Sequence, residues 1–337
     1  MIKAKNHKIL IIATLCIIAI LFLLWPASYR HVYEKDELSY GVTFSPRFAQ
    51  EMGLNWQKAY EEMLDDLGVK KVRLVAYWDQ IEYKDGIYWW KDLDWQIKQA
   101  NNRDVEIILA VGGRLPRWPE CHFPEWAKKL SNNEREEKIL EYIKEVVKRY
   151  QKEENIIAWQ IENEPFLTHF GKCPKIGSKF LDKEISLTKS LDSRPIVVTD
   201  SGELSIWTPA MQRADIFGTT MYRDVYSSFL GRYVHYPLPP AFFKLKYNLA
   251  MFFSAPKPKE SMVIELQAEP WGPKPYHTLT KQERERTMNL EKFKEILEYS
   301  RQTGFKEFYL WGVEWWYWEK EVNGDRSLWN EARELFK

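Results

Sequence analysis

The sequence predicts an α/β fold: a closed (β/α)8 TIM barrel preceded by one N-terminal transmembrane helix. Eight short apolar segments alternate with helix-like segments from residue 38 onward, a rhythm typical of a parallel sheet. No Gly-rich phosphate loop follows the first strand, which argues against the alternative of an open doubly wound sheet. With 337 residues, 45% of them hydrophobic, the chain can bury one barrel-sized core or two smaller ones.

The elements are assigned from hydrophobic spacing and from residues that start or stop regular structure. The predicted strands are residues 38–44, 71–78, 105–113, 155–161, 194–201, 215–222, 261–266 and 306–312. The predicted helices are residues 55–68, 93–103, 134–152, 178–192, 205–213, 241–253 and 289–304, with a closing helix near the C-terminus.

Three of these connections carry further signals. Helix 55–68 ends at Gly68, a residue favoured just past a helix C-terminus. Helix 134–152 has an apolar stripe on one face, formed by Ile139, Tyr142, Ile143, Val146 and Val147. The connection 225–253 is long and aromatic. We expect it to pack on the barrel, with a cover over the barrel mouth or a contact with a membrane as the alternatives.

The N-terminus resembles a membrane anchor. Lys3, Lys5 and Lys8 precede an uncharged apolar run at residues 9–25, which as a helix would be roughly 25 Å long. Basic residues ahead of such a run predict a cytoplasmic N-terminus. A cleaved signal peptide is the main alternative, although residues 26–28 form a poor cleavage site. A buried helix of a soluble protein is a third.

This pattern predicts three regions. Residues 1–28 form a cytoplasmic basic segment and a transmembrane signal anchor, residues 29–37 a linker, and residues 38–337 the barrel domain. The barrel is therefore expected to be anchored to the membrane and to lie outside the cytoplasm, or to be secreted if the signal is cleaved.

Composition limits the kinds of partner. The net charge is +1, with acidic and basic residues interleaved, so no nucleic-acid binding is expected. The 16 Trp and 18 Tyr residues slightly favour a carbohydrate ligand, because aromatic rings offer flat stacking surfaces.

The cysteines favour a disulfide over a metal site. Cys121 and Cys173 follow two predicted strands in loops that can share one face, so we expect them to be bonded in an oxidising compartment. Two unrelated free thiols are the alternative. Cys16 lies in the apolar run. No CxxC or His-rich spacing occurs in the sequence, and no metal or organic cofactor is expected.

The fourth predicted strand ends in an unusual polar cluster, the stretch WQIENEP at residues 159–165. A buried strand that ends in carboxylates and amides needs either partners or a function for them. Pro165 marks the end of the strand. Glu162 and Glu164 are two residues apart, so they should share a face, with Glu164 nearest the mouth. In barrels of this kind, catalytic groups come from the C-terminal ends of strands.

A second carboxylate ends the seventh predicted strand. Glu265 follows the apolar residues of MVIEL, and Glu269 is the alternative if that strand is longer. Strands four and seven lie on facing walls of a closed eight-stranded barrel. Two strand-end glutamates on facing walls match the retaining route of glycoside cleavage, which needs two carboxyl groups roughly 5 Å apart.

With these residues in place, the sequence resembles a clan A glycoside hydrolase, a group that includes the family 5 cellulases and the family 42 β-galactosidases. The resemblance covers residues 38–337. It rests on Asn163, Glu164 and Pro165 at the acid/base position, on Glu265 at the nucleophile position, and on Arg73, Tyr222 and Trp311 at three other strand positions.

Some positions depart from family 5. A histidine often lies two residues before the tyrosine of strand six, and here that residue is Thr220. The region after strand three also commonly offers a histidine, whereas this chain reads AVGGRLPRWPEC. The stretch ELQAEPWGP is more similar to family 42. The exact family is therefore open.

The resemblance implies a retaining β-glycoside hydrolase, either a glycosidase or an endoglycanase, that works by double displacement. Glu164 would be the acid/base and Glu265 the nucleophile. Asn163 would bind the sugar 2-hydroxyl, Arg73 and Tyr222 would lie beside the nucleophile, and Trp311 would form the floor under the sugar. Trp118, Trp271, Arg114 and Glu314 are further candidates in loops on the same face.

Two other kinds of protein fit parts of the pattern. A non-catalytic carbohydrate-binding barrel would keep the fold, although the presence of both glutamates argues against it. A metal-dependent hydrolase would need paired histidines at strand ends, which the sequence lacks.

The substrate of the expected glycoside hydrolase would be an oligosaccharide, a polysaccharide or a glycoconjugate. The sugar, the linkage and the choice of exo or endo action are open.

Overall fold

The computed structural model describes Thr14 and residues 32–337 of the chain. Its barrel strands are β1 (Ser39–Thr43), β2 (Lys71–Val75), β3 (Glu106–Val111), β4 (Ile156–Ile161), β5 (Ile196–Asp200), β6 (Ile216–Met221), β9 (Glu260–Gln267) and β10 (Glu307–Trp311). Neighbouring strands pair in parallel in that order, and β10 pairs with β1 to close the barrel. The predicted (β/α)8 barrel is confirmed, and each of the eight predicted strands coincides with an observed one to within three residues at either end.

Helices connect the strands. They are α1 (Pro46–Glu51), α2 (Trp56–Asp65), α3 (Trp78–Ile81), α4 (Lys91–Asn101), α5 (Asn132–Tyr150), α6 (Ser178–Leu191), α7 (Thr208–Met211), α8 (Pro240–Phe253), α9 (Lys281–Glu285), α10 (Leu290–Ser300), α11 (Val313–Val322) and α12 (Ser327–Arg333). Single 3-10 turns occur at Lys35–Glu37, Ala127–Lys129 and Tyr276–Thr278. The predicted stripe of α5 is buried. A capping box of Ser131 and Glu134 fixes the start of that helix, because it satisfies backbone N–H groups that have no partner within the helix.

The long sixth connection contains a hairpin that the sequence did not predict. Strands β7 (Asp224–Ser227) and β8 (Arg232–His235) pair antiparallel and turn at Gly231, whose φ of 62° suits glycine. The hairpin packs its Val225 and Val234 beside Tyr222 at the barrel mouth. The connection therefore packs on the barrel, as expected, and it also reaches the mouth.

Inside the barrel, a small apolar layer supports a polar one. The apolar layer consists of Ile108, Ala158, Val197, Ile216, Met262, Ile264 and Tyr309. Residues that alternate with them, such as Leu109 and Trp159, join the larger core cluster that includes buried residues of the surrounding helices, as the two-residue period of a strand requires. Arg73 of β2, Gln160 of β4 and Glu265 of β9 are buried polar groups, so the barrel contains a polar layer beside the apolar one.

The predicted membrane span, residues 9–25, lies outside the described residues except for Thr14. In the part of the chain that the structure does describe, no helix combines the length and the apolar character needed to cross a bilayer. The described N-terminal segment is tied to the barrel at Tyr33, whose backbone N–H donates to the carbonyl of Arg301 at 3.1 Å.

Candidate active site

The two predicted glutamates lie at the same end of the barrel. Glu164 follows β4, and Glu265 lies near the end of β9. Strands β5 and β6 separate β4 from β9 around the wall. Glu164 is 6% exposed and Glu265 is 4% exposed. Two carboxyl groups this deeply buried need specific partners, because desolvation disfavours a charge.

Glu265 accepts hydrogen bonds on both oxygens. Arg73 Nη1 donates to Oε1 at 2.8 Å, and the Tyr222 hydroxyl donates to Oε2 at 3.0 Å. Burial and the negative charge of Glu265 hold the pKa of Tyr222 well above its usual range, so this phenol stays protonated and remains a donor. Both carboxylate oxygens of Glu265 are thus held by donors from other parts of the chain.

Arg73 organises the base of the site. Its side chain is fully buried, and besides Glu265 it donates from Nε to Gln160 Oε1 at 2.8 Å and from Nη2 to Asn163 Oδ1 at 2.6 Å. Both contacts come from β4 and the residues just after it. One guanidinium therefore connects β2, β4 and β9 by directional hydrogen bonds, which a lysine could not reproduce.

Glu164 is buried close to several other acidic side chains. Burial, and then the charges of Glu265, Glu120 and Asp200, raise the pKa of Glu164 well above its usual range. Its backbone N–H donates to Thr199 Oγ1 at 2.8 Å, and Thr220 Oγ1 lies 3.4 Å from its carboxyl oxygen Oε1. Thr220, the residue that replaces a common family histidine, therefore contacts Glu164.

Glu162 does not share the face of Glu164. Glu162 and Glu164 both have positive φ, 59° and 45°, which breaks the two-residue alternation on which the prediction depended. The Glu162 carboxylate instead accepts hydrogen bonds from the backbone N–H groups of Gly113 and Arg114 at 2.7 and 2.5 Å. It also faces Glu184 on α6, whose pKa is raised by burial and by the charge of Glu162. Glu162 thus fixes the loop after β3.

That loop supplies a third carboxyl group near Glu164 and Glu265, that of Glu120. A β-bridge between Arg114 and Cys121 closes the segment 114–121, and a disulfide joins Cys121 to Cys173 in the loop after β4. Glu120 is 5% exposed, and its Oε2 accepts a hydrogen bond from Asn163 Nδ2 at 3.1 Å. Burial, together with the charge of Glu265, raises the pKa of Glu120 to about 7, although Arg114 lowers it.

A second buried arginine, Arg117, links two other carboxylates at the mouth. It donates to Glu269 Oε1 at 2.5 Å and to Glu314 Oε2 at 2.8 Å. Burial raises the pKa of Glu269 to about 7 against the opposing effect of Arg117. Glu269, the alternative nucleophile, also accepts from the Tyr276 hydroxyl at 2.9 Å, so its partners differ from those of Glu265.

The candidate aromatic residues fall into two environments. Trp311 is 6% exposed, and the Arg117 guanidinium lies over its ring at 4.1 Å from the centroid. Trp271 contacts Tyr222, with centroids 5.1 Å apart, and Phe170, with centroids 5.8 Å apart. Trp118 is 56% exposed and contacts the other side of Phe170. These rings form a continuous aromatic row from Trp118 to Tyr222 along the mouth.

The site is thus built from most of the predicted residues and from some that the sequence did not indicate. Asn163, Arg73, Tyr222 and Glu265 are joined by hydrogen bonds as described above. Glu120, Arg117, Gln160 and Thr199 were not singled out; of these, only Gln160 lies in the WQIENEP stretch. Arg114, a loop candidate, donates from Nε to the Asn163 carbonyl at 2.8 Å. Across residues 32–337, no group of three or more His, Cys, Asp or Glu side chains is arranged to hold a metal ion.

Known proteins resemble parts of this chain in sequence. Residues 40–175 match the model of the cellulase family, glycosyl hydrolase family 5. The match includes Glu120 and Glu164 and ends before Glu265. A curated β-galactosidase, BgaA from Clostridium cellulovorans, is 28% identical over 174 residues, which cover 45% of this chain and 26% of that protein. This chain therefore spans about a quarter of the length of that relative.

Solved structures share the fold at low sequence identity. The exo-β-1,4-mannosidase Op5Man5 from Opitutaceae bacterium strain TAV5 superposes with a TM-score of 0.57 at 15% identity, over 89% of this chain and 59% of that one. A GH5_18 protein from Streptomyces cattleya, solved with GlcNAc, gives a TM-score of 0.56 at 12% identity, over 81% and 70% of the two chains.

The fold and the matches together define the class: a barrel related to glycoside hydrolases, enzymes that act on O-glycosyl bonds. The resemblance to clan A that the strand-end motifs predict is confirmed. The particular family stays open, because the family 5 match covers the first four strands only and the curated relative is named a β-galactosidase.

Proposed function

We propose that the chain is a retaining β-glycoside hydrolase with Glu265 as nucleophile and Glu164 as acid/base. The observation that carries this proposal is the contrast between the two carboxyl groups. Glu265 is held by Arg73 and Tyr222, which donate hydrogen bonds to it, whereas burial and neighbouring charges raise the pKa of Glu164. A carboxyl group held by two hydrogen-bond donors, beside a second one whose pKa is raised, matches the division of labour that the retaining mechanism requires.

In the first step, a Glu265 oxygen attacks the anomeric carbon as the glycosidic C–O bond breaks, and Glu164 gives its proton to the departing oxygen. In the second step, Glu164 takes a proton from water, whose oxygen attacks the anomeric carbon and releases Glu265. Asn163 would bind the 2-hydroxyl. Its Oδ1 already accepts from Arg73 and one hydrogen of its Nδ2 is donated to Glu120, so the second hydrogen of Nδ2 is the donor that remains for the sugar.

The proposal is tested by assaying the purified full-length chain in detergent against 4-nitrophenyl β-galactoside, β-glucoside, β-mannoside and β-xyloside. The galactoside and the mannoside are assayed first, because two relatives are named a β-galactosidase and an exo-β-1,4-mannosidase. Hydrolysis of at least one substrate is expected, and proton NMR of the first-formed sugar should show the β-anomer. An α-anomer would refute the retaining mechanism. Binding to a glycan array without hydrolysis would favour the carbohydrate-binding barrel instead.

We also propose that residues 9–25 anchor the barrel in a membrane, with the active site outside the cytoplasm. The order of lysines and apolar residues supports this, as does the disulfide at the active site. The described surface adds a third observation. Leu249, Phe252 and Phe253 of α8 are 48%, 77% and 65% exposed, and α8 contacts Phe305 through Tyr247, close to the point where Tyr33 joins the barrel.

This location is tested by fractionating cells that express the full-length chain. The protein should stay with membranes after a carbonate wash, and protease added outside the cytoplasmic membrane should digest the barrel. Replacing Ile17 and Ile18 by Asp should reduce membrane retention, because charges at the centre of a span are unfavourable. A wild-type chain recovered entirely in the soluble cytoplasmic fraction would contradict the proposal.

A further inference from the structure

Glu120 is held in place before any substrate arrives. The backbone N–H of Glu120 donates to the Arg117 carbonyl at 2.8 Å, and its own carbonyl accepts from Leu115 at 2.7 Å. The loop after β4 packs closely against the Glu120 side chain. A Cβ atom added at Gly171 in that loop would lie only 2.8 Å from Glu120 Cβ and Cγ. The disulfide Cys121–Cys173 joins the same two loops. Such fixation is typical of a binding group that is ordered in advance.

The carboxyl group of Glu120 has unused hydrogen-bonding capacity. An ionised carboxylate can accept about four hydrogen bonds. Within residues 32–337, Glu120 accepts one, from Asn163 Nδ2 to Oε2, and Arg114 Nη2 lies 3.9 Å from the same oxygen. No described side chain or backbone group donates to Oε1. A carboxylate this deeply buried with so few donors favours a ligand that brings donors of its own.

The position of Asn163 indicates which donors those are. Its amide lies between Glu120 on one side and Arg73 on the other, and it is the proposed contact of the 2-hydroxyl. On a pyranose ring the neighbouring free hydroxyl is at C3. Hydrogen bonds link Glu120 to Glu265 through Asn163 and Arg73, so Glu120 lies directly beside the residue proposed to contact the ring.

We propose that Glu120 accepts a hydrogen bond from the 3-hydroxyl of the sugar whose glycosidic bond is cleaved, so that the site selects sugars unsubstituted at C3. This inference rests on the proposed glycosidase function. It assigns to Glu120 a role in specificity at the position where the family-like histidine is missing after strand three. A sugar that lacks the 3-hydroxyl, or carries a methyl or sulfate group there, would not donate to Glu120 and would be cleaved less efficiently.

The test compares two substrates in three chains: the wild type, one variant and one control. The substrates are the 4-nitrophenyl β-glycoside that the wild-type chain cleaves fastest and its 3-deoxy counterpart. The variant is Glu120→Gln, whose amide oxygen can still accept from Asn163. The control is Glu125→Gln, a change at a side chain that is 86% exposed. On the parent substrate, Glu120→Gln should lower kcat/KM by about 10- to 100-fold, the size expected for a hydrogen bond to a charged group. On the 3-deoxy substrate it should lower kcat/KM less than about threefold.

The outcomes separate this inference from the function on which it depends. Equal losses on both substrates would show that Glu120 acts through Asn163 or through folding, and would overturn the inference while leaving the glycosidase proposal intact. A wild-type chain that cleaves no glycoside would overturn both. Melting temperatures of the three chains, expected to agree closely at pH 6, would exclude misfolding as the cause of a loss.

Discussion

Replacing Glu265 by glutamine is expected to lower kcat by roughly 10⁴- to 10⁶-fold, the loss typical when a catalytic nucleophile is removed. Glutamine keeps the shape of the side chain and can still accept from Arg73 or Tyr222. It cannot form the covalent glycosyl intermediate. The measurement is steady-state kinetics on the best aryl β-glycoside, with folding checked by circular dichroism.

The Glu164→Gln variant distinguishes the proposed acid/base, Glu164, from the proposed nucleophile, Glu265. Loss of general acid catalysis costs about 10²- to 10⁴-fold, but only when the leaving group needs a proton. With a 2,4-dinitrophenyl glycoside, whose leaving group is stable as an anion, the Glu164→Gln variant should still form the intermediate quickly and show a burst of released phenol. The Glu265→Gln variant should show no burst with either substrate. Activity retained in Glu265→Gln and lost in Glu269→Gln would instead make Glu269 the nucleophile.

Replacing Arg117 by methionine is expected to destabilise the protein by about 3–5 kcal/mol at pH 8, the range seen when one partner of a buried ion pair is removed. Arg117 is the shared donor to Glu269 and Glu314, and all three side chains are no more than 7% exposed. Without the guanidinium, two buried carboxylates would repel each other. The variant should also be less active, because Arg117 supports Trp311 from one face.

The loss of stability in the Arg117→Met variant should increase with pH. Burial already raises the pKa of Glu269 to about 7 in the folded chain, above the ordinary value of about 4.3 for an unfolded glutamate. A raised pKa in the folded state contributes stability that is fully present below the unfolded pKa and is lost as pH rises through the folded pKa. Removing Arg117 would raise the pKa of Glu269 and of Glu314 further. The deficit should therefore be largest above pH 7 and should shrink toward pH 5.

Urea unfolding of the wild-type and Arg117→Met chains at pH 5, 6, 7 and 8 measures this dependence. Arg149→Met is the matched control, because Arg149 pairs with Asp94 and both side chains are more than one third exposed. The Arg149→Met substitution should lower the free energy of unfolding by less than about 1 kcal/mol at every pH. The Arg117 guanidinium lies over the rings of Phe48 and Trp311, 3.8 and 4.1 Å from their centroids. A loss of stability in Arg117→Met that is the same at pH 5 and pH 8 would mean that it comes from this packing rather than from charge.

The sequence was most informative where chemistry and local pattern coincide. Glu164 and Glu265 could be found because each ends an apolar strand, and a parallel barrel brings strand ends together. Arg73 and Tyr222 could be placed for the same reason. Glu162 was predicted on the wrong face, because its positive φ ends the alternation of side chains along the strand. The neighbouring residues in the sequence do not predict that change of backbone conformation.

Glu120 and Arg117 were missed for a different reason. Both lie in a loop whose shape depends on two positive φ angles, 78° at Arg117 and 74° at Glu120, and on a disulfide to another loop. Their partners Asn163, Glu269 and Glu314 are between 43 and 197 residues away. Local periodicity carries no information on contacts at that distance, whereas tertiary packing determines them.

Arg73 and Arg117 at the barrel mouth form ion pairs between the two halves of the chain. Arg73 and Arg117 belong to the first half of the chain, whereas their partners Glu265, Glu269 and Glu314 belong to the second half. These ion pairs thus join the two halves of the barrel at a shared rim, and each pair is complete only when both halves are present. Such complementarity favours one mutual orientation over others. A chimaera that borrows one half from a related barrel would have to match the charges of the half it keeps.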